Sequence, residues 1–292
     1  MPHIRPRLNN LFDVYRHLQF MMGILIIAVA ASLCTGVRAA ESDANLRVEL
    51  ERLAQRRIFF GHQSVGENLL DGVKQLATKA GVPVRITETD AASKVGPATF
   101  GHTFVAENGN PIHKLQSFEQ AMGSQSAGLD IAFVKFCFVD FNAKTDVKGL
   151  FAHYQAAIDD LRTRNPGTTF IHVTTPLTGE QGGFKRFVKR LLGRAPYGIM
   201  ENIRREEYNA LLRQAYRGRE PIFDLARVES TAPDGKVSTA KWQGSVTPAM
   251  VPEYTDDGGH LNAAGSLRAA RELISVLAAV PDQRAAVDRP IR

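Results

Sequence analysis

The chain has 292 residues, 44% hydrophobic and 23% charged, with 24 glycines and 14 prolines, a globular composition that excludes the disordered and collagen-like classes. Two cysteines, Cys34 and Cys137, are too few for a disulfide scaffold or a cysteine-ligated metal centre. The formal charge of +6 would point to nucleic acid only if it belonged to the folded body of the protein.

It does not, because part of it lies in a leader. Arg5, Arg7, Arg16 and His17 precede an apolar run from Phe20 to Leu33, and Val37, Ala39 and Ala40 supply the small residues of a cleavage site. The run is 14 residues long, short of the roughly 20 that span a bilayer as a helix. Residues 1–39 are therefore expected to be a signal peptide cut after Ala39. Leu33 is too bulky to precede a lipidated Cys34. Removing the leader leaves 32 basic and 29 acidic residues, a net charge of +3 that gives no support to nucleic-acid binding. The expected location is the periplasm or the exterior, with no stable membrane span after cleavage. Cys137 is then the only cysteine left, more in keeping with a packed thiol than a nucleophile.

The mature chain lacks a Gly/Ser- or Pro-rich linker and reads as one domain over 40–280, followed by a flexible tail over 281–292. Leu46–Gln55 reads as a helix and Arg57–Gly61 as a buried strand. Asn68–Ala80 carries Leu69, Leu70, Val73, Leu76 and Ala77 at helical spacing and is closed by Gly81. Val82–Thr87 reads as a strand, and a loop holding Gly96, Gly101 and Gly109 leads to a helix opened by Pro111. Strands over Ile131–Phe138, Thr169–Thr174 and Pro221–Leu225 alternate with helices over Leu150–Arg164, Ile203–Tyr216 and Ala263–Val280. Apolar strands separated by amphipathic helices imply an α/β fold, a three-layer α/β/α sandwich with a parallel central sheet. In such sheets ligands bind at the carboxyl ends of the strands.

Ser64 lies just past the first strand, in Gly61-His62-Gln63-Ser64-Val65-Gly66, where a helix begins. A serine there is either a helix cap or a group aimed at a ligand. Far downstream, Asp256-Asp257-Gly258-Gly259-His260-Leu261-Asn262 contains an Asp-x-x-His pair, Asp257 and His260, whose two glycines let the carboxylate reach the ring. Asp and His before a helix are also common capping groups. Taken together, Ser64, His260 and Asp257 have the composition of a nucleophile, its base and the base's orienter. His62 is a candidate substrate contact, although imidazoles at turns more often hold backbone groups. A metal site built from His62, Asp256, Asp257 and His260 is disfavoured, since no close His-x-His or His-x-x-x-His spacing occurs.

In these residues the chain resembles the SGNH, or GDSL-type, hydrolase superfamily, a flavodoxin-like α/β/α fold with its serine after the first strand and Asp-x-x-His before the last helix. The resemblance spans roughly residues 55–280, and Thr174-Thr175-Pro176-Leu177, Glu207-Tyr208-Asn209 and Pro221-Ile222-Phe223-Asp224 fit it as well. Two blocks depart: Gly61-His62-Gln63-Ser64 stands for Gly-Asp-Ser, and Lys135-Phe136-Cys137-Phe138-Val139-Asp140 for Gly-x-Asn-Asp. The family's oxyanion asparagine is thus missing or moved, with Asn142 as the nearest replacement. Lys135 would reach the site only by pointing beyond the strand end. The family's oxyanion glycine is matched by Gly101 or Gly109, with Gly109 preferred because it precedes a helix.

The resemblance implies a serine hydrolase that requires no cofactor, and the leader implies that it is exported. It would cleave an ester of a small molecule or polysaccharide, most plausibly an O-acyl group on carbohydrate, with Ser64, His260 and Asp257 as triad and an oxyanion hole of backbone N–H groups near Ser64 and Gly109. The alternatives are an O-acyltransferase using the same triad and a noncatalytic carbohydrate-binding module on the same fold. The leader generates a first test. Amino-terminal sequencing of the exported protein should begin at Ala40, and a mature chain retaining Phe20–Leu33 would make it a membrane-anchored protein.

Overall fold

A computed structural model describes residues 43–124, 128–180, 191–193, 195–196 and 198–282. The expected signal peptide, and the tail beyond Asp282, lie outside the described residues. The chain divides into two units, 1–45 and 46–292, and the architecture below is that of the second.

After a first helix, α1, ending at residue 53, strand β1 (Arg57–His62) leads into α2 (Ser64–Ala80). Then follow β2 (Ile86–Glu88), β3 (Thr99–Phe104), α3 (Pro111–Met122), β4 (Ile131–Val134) and α4 (Val147–Arg164). Beyond these come β5 (Thr169–Phe170), β6 (His172–Val173), α5 (Ile199–Tyr216), β7 (Ile222–Phe223), a short α6 (Leu225–Ser230), the hairpin β8 (Thr239–Trp242) and β9 (Ser245–Pro248), and α7 (Ala263–Ala279). The main sheet has five strands in the order β2-β3-β1-β4-β5, all parallel. β6 continues the line of β5 past Ile171 and pairs in parallel with β7. The α/β/α sandwich expected from the alternation of apolar strands and helices is therefore present.

Side-chain alternation divides the core in two. Ile58, Phe60, Phe100, Ile131 and Phe133 face α1, α2 and α7, while Phe59, Ala132, Val134 and Phe170 face α3, α4 and α5. Phe60 stacks on Phe133 with ring centroids 4.3 Å apart. Helices α2 and α7 approach so closely that a Cβ on Gly72 would lie 2.5 Å from the Ser266 carbonyl oxygen and 2.7 Å from the Ala270 Cβ.

Several boundaries differ from the sequence reading. Helix α2 starts at Ser64 instead of Asn68, because its first turn already buries Val65 and Gly66 although Glu67 and Asn68 break the apolar spacing there. The segment taken as a glycine-bearing loop contains β3, whose Gly101 stands where a Cβ would meet Val95. Of Val82–Thr87 only Ile86 and Thr87 are in β2. β4 stops at Val134, and Phe138–Asp140 forms a 3-10 turn capped by the Asp140 carboxylate on the Cys137 N–H.

His62 closes β1 and is fully buried. Its Nδ1 lies 3.1 Å from the Gln63 carbonyl, which can only accept, so Nδ1 carries the proton and Nε2 accepts from His102 Nδ1 at 3.0 Å. The ring also stacks on Phe60 at 4.7 Å, and a Cβ on Gly66 would collide with it. The candidate substrate contact is thus corrected to a structural residue that holds the β1–α2 turn. Burial drives its pKa down from 6.5 to about 3.

Two tests follow from this packing. Gly72→Ala should lower stability by about 1–3 kcal/mol, the usual penalty for overpacking, measured by denaturant unfolding. The depressed pKa of His62 means that its neutral ring favours the folded state above pH 6.5, a contribution lost as pH falls towards about 3. Its ring signals in NMR should accordingly stay fixed from pH 8 to pH 5, whereas a solvent-facing substrate contact would titrate.

Candidate active site

The carboxyl end of β1 is the place where the chain must leave a sheet covered on both sides. From β1 it turns towards the α2 face, and from β3 and β4 towards the α3 and α4 face, so a crevice opens between the departing loops. Ser64 stands in it as the first helical residue of α2. The cap position belongs to Gln63, whose side chain makes no capping bond. It reaches across instead, donating from Nε2 to the carbonyls of Val105 and, at 3.2 Å, Ala106 beyond β3. Ser64 is therefore not the helix cap.

The Asp257–His260 loop comes from the other end of the sequence. Gly258 adopts a φ of +85°, which favours glycine, and its carbonyl accepts from the Gly179 N–H at 2.8 Å. The turn lets Asp257 Oδ1 accept from the N–H groups of Gly259 at 2.8 Å and His260 at 2.7 Å, while Oδ2 lies 2.6 Å from His260 Nδ1. His260 Nε2 in turn lies 3.0 Å from Ser64 Oγ, joining residues 196 apart in sequence. These bonds, led by the ring N–H and the backbone N–H of His260, hold the Asp257 carboxyl well below the usual carboxylate range. With the carboxylate ionised, the Nδ1–H tautomer is the one it favours, and Nε2 is left to accept from the serine hydroxyl. The Phe138 ring meets His260 edge-on at 5.5 Å and fills the space a Cβ on Gly259 would need. Asn262 caps α7 by accepting from the Gly265 N–H at 3.1 Å, so the Gly-Gly-His-Leu-Asn run combines a tight turn, a ring and a helix start.

The other nominated residues are engaged in other bonds. The Gly109 N–H donates to Asp140 Oδ1 at 2.8 Å, so it is not free to stabilise an oxyanion, which corrects that assignment. Asn142 is exposed, and its Oδ1 accepts from the Lys144 N–H at 2.9 Å in a local turn. Lys135 is fully buried and donates to the Phe136 carbonyl at 3.1 Å, with burial lowering its pKa. Cys137 is a buried free thiol. Asp256 accepts from Asn262 Nδ2 at 3.2 Å and takes no part in the Ser64 line. Among the described residues no group of three or more His, Cys, Asp or Glu is placed to hold a metal, and no helix is long and apolar enough to cross a membrane.

Sequence reasoning missed Gln63, Phe138, Asn108 and the buried pair Lys114–Asp140. Lys114 was open to detection, since it lies four residues before Phe118 on the apolar face of α3, where a lysine needs a partner.

No family model matches the sequence, and no curated protein matches it. Solved structures similar to the chain include a Streptococcus pneumonia protein provisionally described as a platelet activating factor, at 16% identity and a TM-score of 0.47, covering 86% of this chain and 99% of that one. A GDSL-like lipase from Bacteroides thetaiotaomicron is 11% identical with a TM-score of 0.46, over 77% of this chain and 88% of its own. The periplasmic domain of a lipopolysaccharide acetyltransferase from Salmonella ser. Paratyphi A is 12% identical with a TM-score of 0.39, over 75% and 83% of the two chains.

Proposed function

We propose that the chain is a divergent SGNH-type serine hydrolase that cleaves an ester. The observation that supports this is the unbroken line from the Asp257 carboxylate through the His260 ring to Ser64 Oγ, with spacings of 2.6 Å and 3.0 Å. Ser64 Oγ bonds to the acyl carbon as its proton passes to His260 Nε2, and the carbonyl π pair moves onto oxygen. Collapse of the oxyanion breaks the ester C–O bond, the alcohol leaves with the proton from His260, and water repeats the sequence on the acyl-enzyme. Asp257 stays ionised and favours the imidazolium as it forms. The Gly66 N–H already donates to the Gln63 carbonyl at 2.6 Å, but the N–H groups of Ser64 and Val65 precede it at the start of α2, where no intrahelical acceptor exists, and are suited to a developing negative charge.

The substrate we favour is an O-acylated carbohydrate outside the cytoplasm. The export signal in the leader supports the location. A cavity of about 500 Å³ lined by Glu88, Thr89, Asp90, Thr103 and Phe104 supports the sugar. In register Phe104 lies beside His62, and the residue is 41% exposed, offering an aromatic side chain flanked by hydroxyls and carboxylates that accept from sugar hydroxyls. The His260 side chain is 43% exposed, so an acceptor alcohol has the same access to the base as water. This favours the acyltransferase as the second reading, and product analysis with an added acceptor sugar separates the two.

Ser64→Ala should abolish both fluorophosphonate labelling and hydrolysis of a short activated ester, with thermal unfolding nearly unchanged. Asp257→Asn should lower kcat strongly and Asp256→Asn much less. Active wild-type protein with a fully active Ser64→Ala variant would sink the triad, and a wild type that neither labels nor hydrolyses would leave the noncatalytic binder.

A further inference from the structure

Lys114 and Asp140 are both buried, with Lys114 Nζ 2.8 Å from each carboxylate oxygen. The carboxylate also accepts from the N–H groups of Gly109 at 2.8 Å and Cys137 at 2.6 Å. One ion pair thus fastens the loop after β3 to the loop after β4. Lys114 Nζ donates a further bond, of 2.7 Å, to Asn108 Oδ1. An ammonium group has no acceptor, so the oxygen of the Asn108 amide must face it, and the amide's Nδ2 is turned the other way. Among the described residues no acceptor takes that Nδ2, and Asn108 is exposed.

Asn108 belongs to a closed circuit of contacts around the serine. Gln63, next to Ser64, holds Val105 and Ala106. Asn108, two residues on, is held by Lys114, which holds Asp140, which holds Cys137. Phe138, the next residue, lies against His260, and His260 meets Ser64. The loop that bears Asn108 is therefore fixed to the serine turn at one end and to the histidine side of the crevice at the other.

We propose that Asn108, oriented by the buried Lys114–Asp140 pair, supplies through Nδ2 the side-chain donor to the oxyanion, with Lys114 and Asp140 as positioning residues. This rests on the serine-hydrolase reading above. It fills the role left open by the missing family asparagine, from the loop after β3 instead of the one after β4. Neutral amide donors already aimed at the developing charge act in the transition state more than in the ground state, so their loss appears in kcat.

The test compares wild type, Ser64→Ala, Asn108→Ala, Asn142→Ala and Lys114→Met on a short activated ester, with thermal unfolding of each. Asn108→Ala should lower kcat about a hundred-fold with KM little changed and weaken inhibition by a boronic acid, a tetrahedral mimic, by a similar factor, while its unfolding stays as in wild type. Asn108→Gln should recover part of the loss. Lys114→Met should lower kcat in the same direction, and if it does not fold the Asn108 variants still decide. An active wild type whose Asn108→Ala variant keeps its kcat and its boronate affinity overturns this proposal alone, as does a loss confined to Asn142→Ala. A wild type that neither labels with fluorophosphonate nor hydrolyses the ester overturns the serine-hydrolase reading and this proposal together.

Discussion

Strand β1 lies between β3 and β4 with a helical layer on each side, and Ile58, Phe59 and Phe60 are all fully buried as a result. Apolar side chains on both faces leave the strand no place for chemistry along its length. Reactive groups can appear only past its carboxyl end, where the chain escapes the sheet. The parallel order of the sheet brings the ends of β3 and β4 to the same edge. Gln63, the Val105–Asn110 loop and the Cys137–Asp140 turn meet there because three neighbouring strands point the same way.

The polar groups at that edge fall into two regimes. Lys114 and Asp140 are shut away from water, and removing one partner of such a pair costs about 3–5 kcal/mol because the other charge is left uncompensated. Asp140 is well compensated, accepting from the ammonium and from two backbone amides. Such a pair contributes little net stability over an apolar substitute, but it fixes two loops at one distance. Asp257 and His260 are exposed by 57% and 43%, and a hydrogen-bonded pair so open to water adds little to folding. Its consequence is the ring's orientation and tautomer. The buried pair sets the frame, and the exposed pair stands open to solvent in the crevice.

The sequence disclosed the sandwich because its central strands are continuous apolar runs and its helices repeat their apolar residues at helical spacing. Ser64, Asp257 and His260 stood out for a related reason, since each falls in a turn with glycines close by. Strand β3 was hidden: Gly101, His102 and Thr103 read as loop, and only burial against β1 and β2 makes them strand. The hairpin β8–β9 escaped for want of a strong alternating pattern, with Ser245 and Val246 exposed. Gly109 was nominated as an oxyanion donor from its place before α3, and only three-dimensional packing reveals that Asp140, 31 residues away, takes its N–H. Hydrogen bonds over such separations leave no local signature.

The start of α2 carries the argument one step further. A helix of 17 residues would ordinarily be capped by a side-chain oxygen on its first free amides, a bond worth about 1 kcal/mol. Here the cap residue is Gln63, whose amide is committed to Val105 and Ala106, and the serine that would make a good cap stands one place too late and turns its hydroxyl to His260. The helix forgoes a bond that shifting the serine by one residue would supply. Departures of this kind from local preference concentrate where a sequence serves function over stability. The N–H groups left without a side-chain cap include those of Ser64 and Val65, so the stability forgone and the reactivity proposed have a common source in the position of one serine.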